Sequence, residues 1–223
     1  ASGGDVARAD AIGPSPLDGH WRTVANGDRI LTALRDGDTL WAGTEAGGLV
    51  RWSIERRTYV QYLAPQRNMP SNDVHDLALG PDGSVWLATA GGLARFDPER
   101  ETFESITPES SPGMPARVVT ALQVLDNGEL WVGFAQEWDP ELAHPEPELS
   151  GAFAPGGLAR YDPRARSWAE VIHVDFDDSP AVPPRTYETI TSENISDLEL
   201  TPDGILWIGT RPYYVWEPER STP

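Results

Sequence analysis

Side chains able to do chemistry gather in two long loops and one altered turn. Between Phe134 and Pro155 stand Glu137, Trp138, Asp139, Glu141, His144, Glu146 and Glu148, with no Lys or Arg among them. Between His173 and Asn194 come Asp175, Phe176, Asp177, Asp178, Arg185 and Tyr187. Carboxylates at this density suit calcium, which takes about six to eight oxygen ligands. The Asp-x-Asp-x-Asp-Gly spacing of a calcium loop is missing, however, and the prolines of the first stretch suit an extended, solvated loop. The expectation is therefore no metal and no cofactor, with calcium on Asp175, Asp177 and Asp178 as the alternative. Aromatic groups exposed in such loops stack on sugar rings or anchor a protein partner. Arg211-Pro212-Tyr213-Tyr214 adds a cation and two phenols. The expected binding residues are Trp138, Phe176, Arg211, Tyr213, Tyr214 and His144. The competing reading packs the rings against the rim of the fold.

Catalytic sets are sparse. The four histidines, at 20, 75, 144 and 173, share no metal-ligand spacing, and no Gly-x-Ser-x-Gly elbow or phosphate-cradling Gly-rich loop occurs. Cysteine is absent, which excludes disulfides, thiolate metal sites and a thiol nucleophile. His75 beside Asp76 could form an acid–base pair, or a structural hydrogen bond. An enzyme is the lesser expectation. Charge narrows the partners further: 35 acidic residues face 17 basic ones, all of them Arg, for a formal net charge of −18. Such a field repels phosphate backbones and anionic lipid, so neither nucleic acid nor a membrane surface is an expected partner. No apolar run reaches the ~18 residues of a bilayer span.

The elements that must position these groups are short, alternating and repeated. From Met69 to Phe103 the chain reads as three strand-like runs (residues 74–79, 84–89 and 93–96) and the start of a fourth at Thr102. Pro81-Asp82-Gly83 makes the first turn, because Gly supplies positive φ and Asp tolerates it. Gly91-Gly92 and Asp97-Pro98-Glu99-Arg100 make the next two. Four antiparallel strands in ~40 residues form one blade of a β-propeller, a unit that cannot bury both faces by itself. Trp41, Trp86, Trp131 and Trp207 mark the second strands of four such units, at intervals of 45, 45 and 76 residues. The excess in the last interval is the pair of loops described above. No helical period interrupts the pattern.

The expected fold is therefore all-β, a propeller of four four-stranded blades near residues 28–63, 72–107, 116–173 and 193–220. Residues 1–18 read as an extended arm, and 19–223 as the propeller. The fourth blade runs out before its last strand, and the orphan run His20-Trp21-Arg22-Thr23-Val24 (strand 20–25) supplies it, closing the ring. The alternative is an excerpt of a larger propeller. Because hairpins between first and second and between third and fourth strands share one face, both loop expansions project from the other.

The recurring Pro-Ser-Asn-x-Val, Pro-Asp-Gly-x-Val/Leu-Trp-x-x-Thr and Gly-Gly-Leu-x-Arg-aromatic-Asp resembles the two-component regulator propeller repeat, over about residues 28–220. The resemblance implies a sensor-type propeller outside the cytoplasm, periplasmic, secreted or on the cell surface, with a binding role towards carbohydrate or protein. The Asp-Gly-x-Leu-Trp element is also similar to that of streptogramin lyases, which implies a lyase or hydrolase as the rival function. A structural subunit of a cell-surface assembly is the third. If residues 20–25 complete the fourth blade, deleting residues 1–25 exposes a strand edge, and light scattering should detect aggregation that the full chain lacks.

Overall fold

The computed structural model describes residues 29–65, 68–143, 150–154, 156–172 and 194–211, and every element among them is a β-strand. Strands β1 (Ile30–Asp36), β2 (Thr39–Thr44), β3 (Leu49–Ser53) and β4 (Thr58–Tyr62) form an antiparallel sheet in sequence order. β5 (Val74–Leu79), β6 (Val85–Thr89), β7 (Gly92–Asp97) and β8 (Thr102–Ile106) repeat it. The third unit starts with β9 (Val119–Val124) and β10 (Leu130–Phe134). The chain then leaves the sheet as a separate two-stranded ribbon, β11 (Glu137–Ala143) and β12 (Ser150–Ala154), and returns as β13 (Gly157–Asp162) and β14 (Ser167–Ile172). β15 (Ile195–Leu200) and β16 (Leu206–Thr210) are the described part of the fourth.

The ribbon corrects the expectation of an extended loop between Phe134 and Pro155. Glu137 pairs with Ala154, Trp138 with Phe153 and Asp139 with Ala152. The strand-favouring aromatics Trp138 and Phe153 thus stand opposite each other. In a two-stranded ribbon both strands are edges, so the missing N–H of Pro140 is tolerated.

The hairpin chemistry is as the sequence requires. Gly83, Gly128 and Gly204 hold φ of 79°, 86° and 88°, values that a side chain at Cβ disfavours. In the second blade, Ser84 N–H and Oγ both donate to Asp82 Oδ1, at 3.1 and 2.6 Å, closing the turn.

Sheets stack through their innermost strands: β1 packs along β5, β5 along β9 and β9 along β15. This is the radial packing of propeller blades. The first two joints place the second-strand tryptophan of one blade against the third-strand aromatic of the next. Trp41, 2% exposed, meets Phe96 edge-on at 5.6 Å, and Trp86, 3% exposed, meets Tyr161 at 6.2 Å. Behind them Phe96 packs on Phe103 and Tyr161 on Trp168. Arg51 ties the first blade to the second through Glu101 at 2.9 Å, while its guanidinium lies 5.9 Å from the Trp41 ring. Arg95 and Arg160 pair with carboxylates of their own blades instead, Asp82 for the one and Glu129 and Glu170 for the other.

Closeness of the blades depends on what the second strand lacks. A Cβ on Gly43 would sit 2.7 Å from Val74 Cγ1, and one on Gly133 would sit 2.4 Å from Ile195 Cγ2. Residues 20–25, expected to complete the fourth blade, lie outside the described residues, as does that blade beyond Arg211. Among the described residues, no comparable packing joins β15 to β1. Gly133→Ala should cost about 1–3 kcal/mol by overpacking against Ile195, read as a lowered urea midpoint with unchanged slope; an unshifted midpoint would mean that the blades are not held this closely.

Candidate functional site

The end of the blades that carries the second-to-third connections is defined by one backbone bond made four times. Glu45 N donates to Arg29 O at 2.7 Å, Ala90 N to Asp73 O at 3.1 Å, Ala135 N to Val118 O at 3.0 Å, and Arg211 N to Asn194 O at 2.8 Å. Arg211 therefore occupies, in the fourth blade, the position from which the ribbon springs in the third. Its side chain is exposed. The asparagine of each Pro-Ser-Asn-type segment clamps the blade before it. Ala64 N donates to Asn72 Oδ1 at 2.6 Å, and Gly48 N donates to Asn72 O at 2.8 Å. At the ribbon's root, Gln136 N donates to Asn194 Oδ1 at 2.9 Å and Asn194 Nδ2 to Gln136 Oε1 at 3.2 Å. A side-chain amide thus fixes the departure of β11 from the third blade to the start of the fourth.

Of the residues expected to bind, Trp138 lies in β11, opposite Phe153 in register. Phe176, Tyr213, Tyr214 and His144 lie outside the described residues, as do Asp175, Asp177 and Asp178. Among the described residues, no three acidic or histidine side chains cluster in a way that would hold a metal ion.

The innermost strands carry a second polar set that the sequence pattern did not announce. Each has a bulge at the same place: Leu31, His75, Thr120 and Ser196 are extra residues skipped by the pairing with the second strand. The extra residue reaches the next blade. His75 Nδ1–H donates to Val119 O at 2.7 Å, and Thr120 Oγ1–H donates to Ile195 O at 2.7 Å. A carbonyl can only accept, so Nδ1 carries the proton and the histidine serves the joint. Next to the bulge, Asp76 Oδ2 accepts from Leu122 N of the third blade and Oδ1 from Leu77 N of its own, each at 2.8 Å. Thr32 Oγ1 lies 3.4 Å from Oδ1. Burial pushes the Asp76 carboxyl above its ordinary range and the nearby Asp197 charge adds to this, outweighing the hydrogen bonds that favour the ionised form.

A cleft of about 180 Å³ opens at the opposite, hairpin end, between the second and third blades. Pro81, Asp82, Trp86, Arg95, Gly128, Pro163 and Arg164 line it. Arg95 is committed there, paired with Asp82 and lying 5.9 Å from the Trp86 ring. Three hairpins from two blades build this notch, so no single stretch of sequence signals it.

Blade-like sheets stacked through their inner strands, with one blade drawn out into a ribbon, define a β-propeller protein. Residues 189–211 match the sequence model of the family described as two component regulator propeller, so the fourth blade carries a repeat of that family. No curated protein matches the chain. Among solved structures, it is similar to an ancestral GH74 enzyme, with 13% identity over 80% of this chain and 21% of that one, and a TM-score of 0.52. It is also similar to the extracellular domain of a hybrid two component system from B. thetaiotaomicron, with 19% identity, coverage of 82% and 26%, and a TM-score of 0.46. PorZ, a bacterial surface component of the type-IX secretion system of Porphyromonas gingivalis, gives 16%, 83% and 24%, with a TM-score of 0.49. The chain spans about a quarter of the length of these proteins.

The buried carboxyl has a measurable signature. A folded-state value raised above 3.8 means that Asp76 contributes stability below that pH and loses it as pH rises through the raised value. Asp76→Asn keeps an acceptor for Leu122 N and removes the titration. Stability of the wild type relative to this variant should therefore fall from roughly pH 3 to pH 6, the range where carboxylates titrate. A difference that stays flat in urea unfolding across that range would refute the burial argument.

Proposed function

We propose that the chain is a non-catalytic binding propeller that works outside the cytoplasm and recognises a glycan or a protein through its second-to-third connection end. The observation that carries this reading is the β11–β12 ribbon. It leaves the third blade at the position that Arg211 holds in the fourth, and its root is clamped by Gln136 and Asn194. A ribbon separate from the blade sheets and anchored at one blade position can vary while the blades stay fixed, as a recognition element requires. Trp138, Phe176, Arg211, Tyr213, Tyr214 and His144 form the proposed surface, and Asp175, Asp177 and Asp178 give it a negative field that favours partners with cationic or hydroxyl-rich faces.

Two further points support recognition over catalysis. His75 and Asp76, the acid–base pair suggested by sequence, are both engaged in bonds between blades. The hairpin end is built of tight Asp-Gly turns, leaving variation to the other end. The family of the fourth-blade repeat, by its description, serves two-component regulators, and recognition of an external signal fits that role. No helix among the described residues is long and apolar enough to cross a membrane.

Glycan-array binding, with capture of partners from the native envelope, tests the reading. Trp138→Ala and Tyr213→Ala should weaken whatever binding is found, with stability changed by no more than about 1 kcal/mol, as at surface positions. Binding that survives both changes, or that maps to the Asp82–Gly83 and Asp203–Gly204 hairpins, would place recognition at the wrong end.

A further inference from the structure

The first two joints differ at one carboxylate. Arg51 and Arg95 hold the same place, each paired in register with its blade's second-strand tryptophan, and each guanidinium lies 5.9 Å from that ring. Across the first joint, Glu101 of the second blade meets Arg51 Nη2 at 2.9 Å, and Tyr62 Oη–H donates to the same Oε1 at 3.1 Å. Glu101 ends the turn between β7 and β8. The matching turn of the third blade, between β13 and β14, is built alike. Asp97 Oδ1 accepts from Glu99 N and Arg100 N, and Asp162 Oδ1 from Arg164 N and Ala165 N. Both turns end on a residue with φ of 53°, Glu101 in one and Arg166 in the other. Where the first joint places a carboxylate, the second has a guanidinium.

The neighbours of Arg95 change to match. Arg166 pairs with Glu104, the residue directly across from Arg95 in the sheet, so that carboxylate is engaged as well. Ile106 stands where Tyr62 stands, since it pairs with Leu93 as Tyr62 pairs with Leu49, and it brings no hydroxyl. Over this second joint lies the cleft of about 180 Å³. Its walls include two guanidiniums, Arg95 and Arg164, and one carboxylate, Asp82. Arg164 occupies the turn position that Glu99 holds in the second blade. Asp82 engages Nη2 of Arg95, and a guanidinium carries five N–H donors, so donors remain for a second anion. In a chain with a formal net charge of −18 this is a locally cationic notch. Its volume equals about six water molecules at ~30 Å³ each.

We propose that the cleft binds a small organic carboxylate, whose anionic end takes over Arg95 the place that Glu101 takes over Arg51. Arg95 and Arg164 supply charge-assisted N–H donors from two different blades. Pro81 and Pro163 flank the short carbon body of the acid. The first joint displays the finished arrangement, the same arginine beside the same ring, completed by a carboxylate from the neighbouring blade. A bound acid bridges the second and third blades as Glu101 bridges the first and second, so its binding stabilises the folded chain. The site lies at the hairpin end and takes a small acid, so it is independent of the glycan- or protein-binding end proposed above.

The test is a titration of the full 223-residue chain with acetate, propionate, succinate and glutarate at fixed ionic strength. Binding is followed by the indole N–H resonances of nitrogen-15-labelled protein, with that of Trp86 identified by its loss in Trp86→Phe. The Trp86 resonance should shift saturably with at least one acid, and the thermal midpoint should rise with the concentration of that acid. Arg164→Gln, on an exposed turn, should weaken binding roughly tenfold, as loss of a hydrogen bond between charged groups does, and leave the midpoint of the unliganded protein unchanged. Arg166→Glu should supply the carboxylate of the first joint from within the chain and abolish the response to added acid. No saturable shift with any of these acids, an equal response to chloride or inorganic phosphate, or an affinity that either variant leaves unchanged would each overturn the proposal.

Discussion

Everything in this architecture depends on how closely one sheet can approach the next. A blade has two faces and no core of its own, so its stability is created at the seam. There the first residue of an inner strand enters a space kept free on the preceding blade's second strand. Val74 fills the space at Gly43 and Ile195 the space at Gly133. In the middle joint Ala88 and Val119 are both fully buried in one cluster with Trp86 and Tyr161. Around this contact the tryptophan–aromatic layer adds apolar area and the bulge residue adds a hydrogen bond. The approach comes first, because neither of the others reaches across a wider gap.

That constraint explains why polar side chains sit so near the axis. Inner strands that approach at this distance leave backbone groups facing a neighbouring blade and not a partner strand, and such groups must be satisfied. The bulge answers this by turning one additional side chain towards the neighbour. His75 and Thr120 differ in chemistry yet perform one service. Asp76 serves from the other direction, accepting the amide of Leu122, and its raised affinity for a proton is the cost of placing a carboxyl there.

The fold was legible in the sequence wherever one residue type enforces one local geometry. Gly83, Gly128 and Gly204 mark hairpins because positive φ excludes most side chains, and Trp41 and Trp86 mark buried second strands because nothing smaller fills the space beneath Phe96 and Tyr161. The ribbon was not legible: prolines and acidic residues between Phe134 and Pro155 read as a solvated loop, while strand pairing there is decided by long-range register between Trp138 and Phe153. The bulges were hidden for a similar reason, since an extra residue in a strand leaves its alternation readable on either side. Arg211 was legible as a departure from Gly-Gly-Leu, and its placement beside the ribbon's blade position follows from the recurring bond to Asn194. The hairpin-end cleft needs Arg95 of one blade and Arg164 of the next, and no motif links them.

The seams are alike in plan but differ in their fillings, and two of the three keep the same volume by different means. Gly133 opposes isoleucine at 195, while Ala88 shares its cluster with valine at 119, so a methyl group gained on one side is given up on the other. Repeated units that are interchangeable can dock out of order as the chain collapses, a characteristic error of repeat proteins. Were the third blade to meet the fourth blade's isoleucine through an alanine, or the second to meet it through Ala88, the space would be overfilled by one carbon. Such a mismatch costs little in a finished protein but counts among near-equal alternatives, so Ala88 acts as a serial number that keeps the second blade off the fourth.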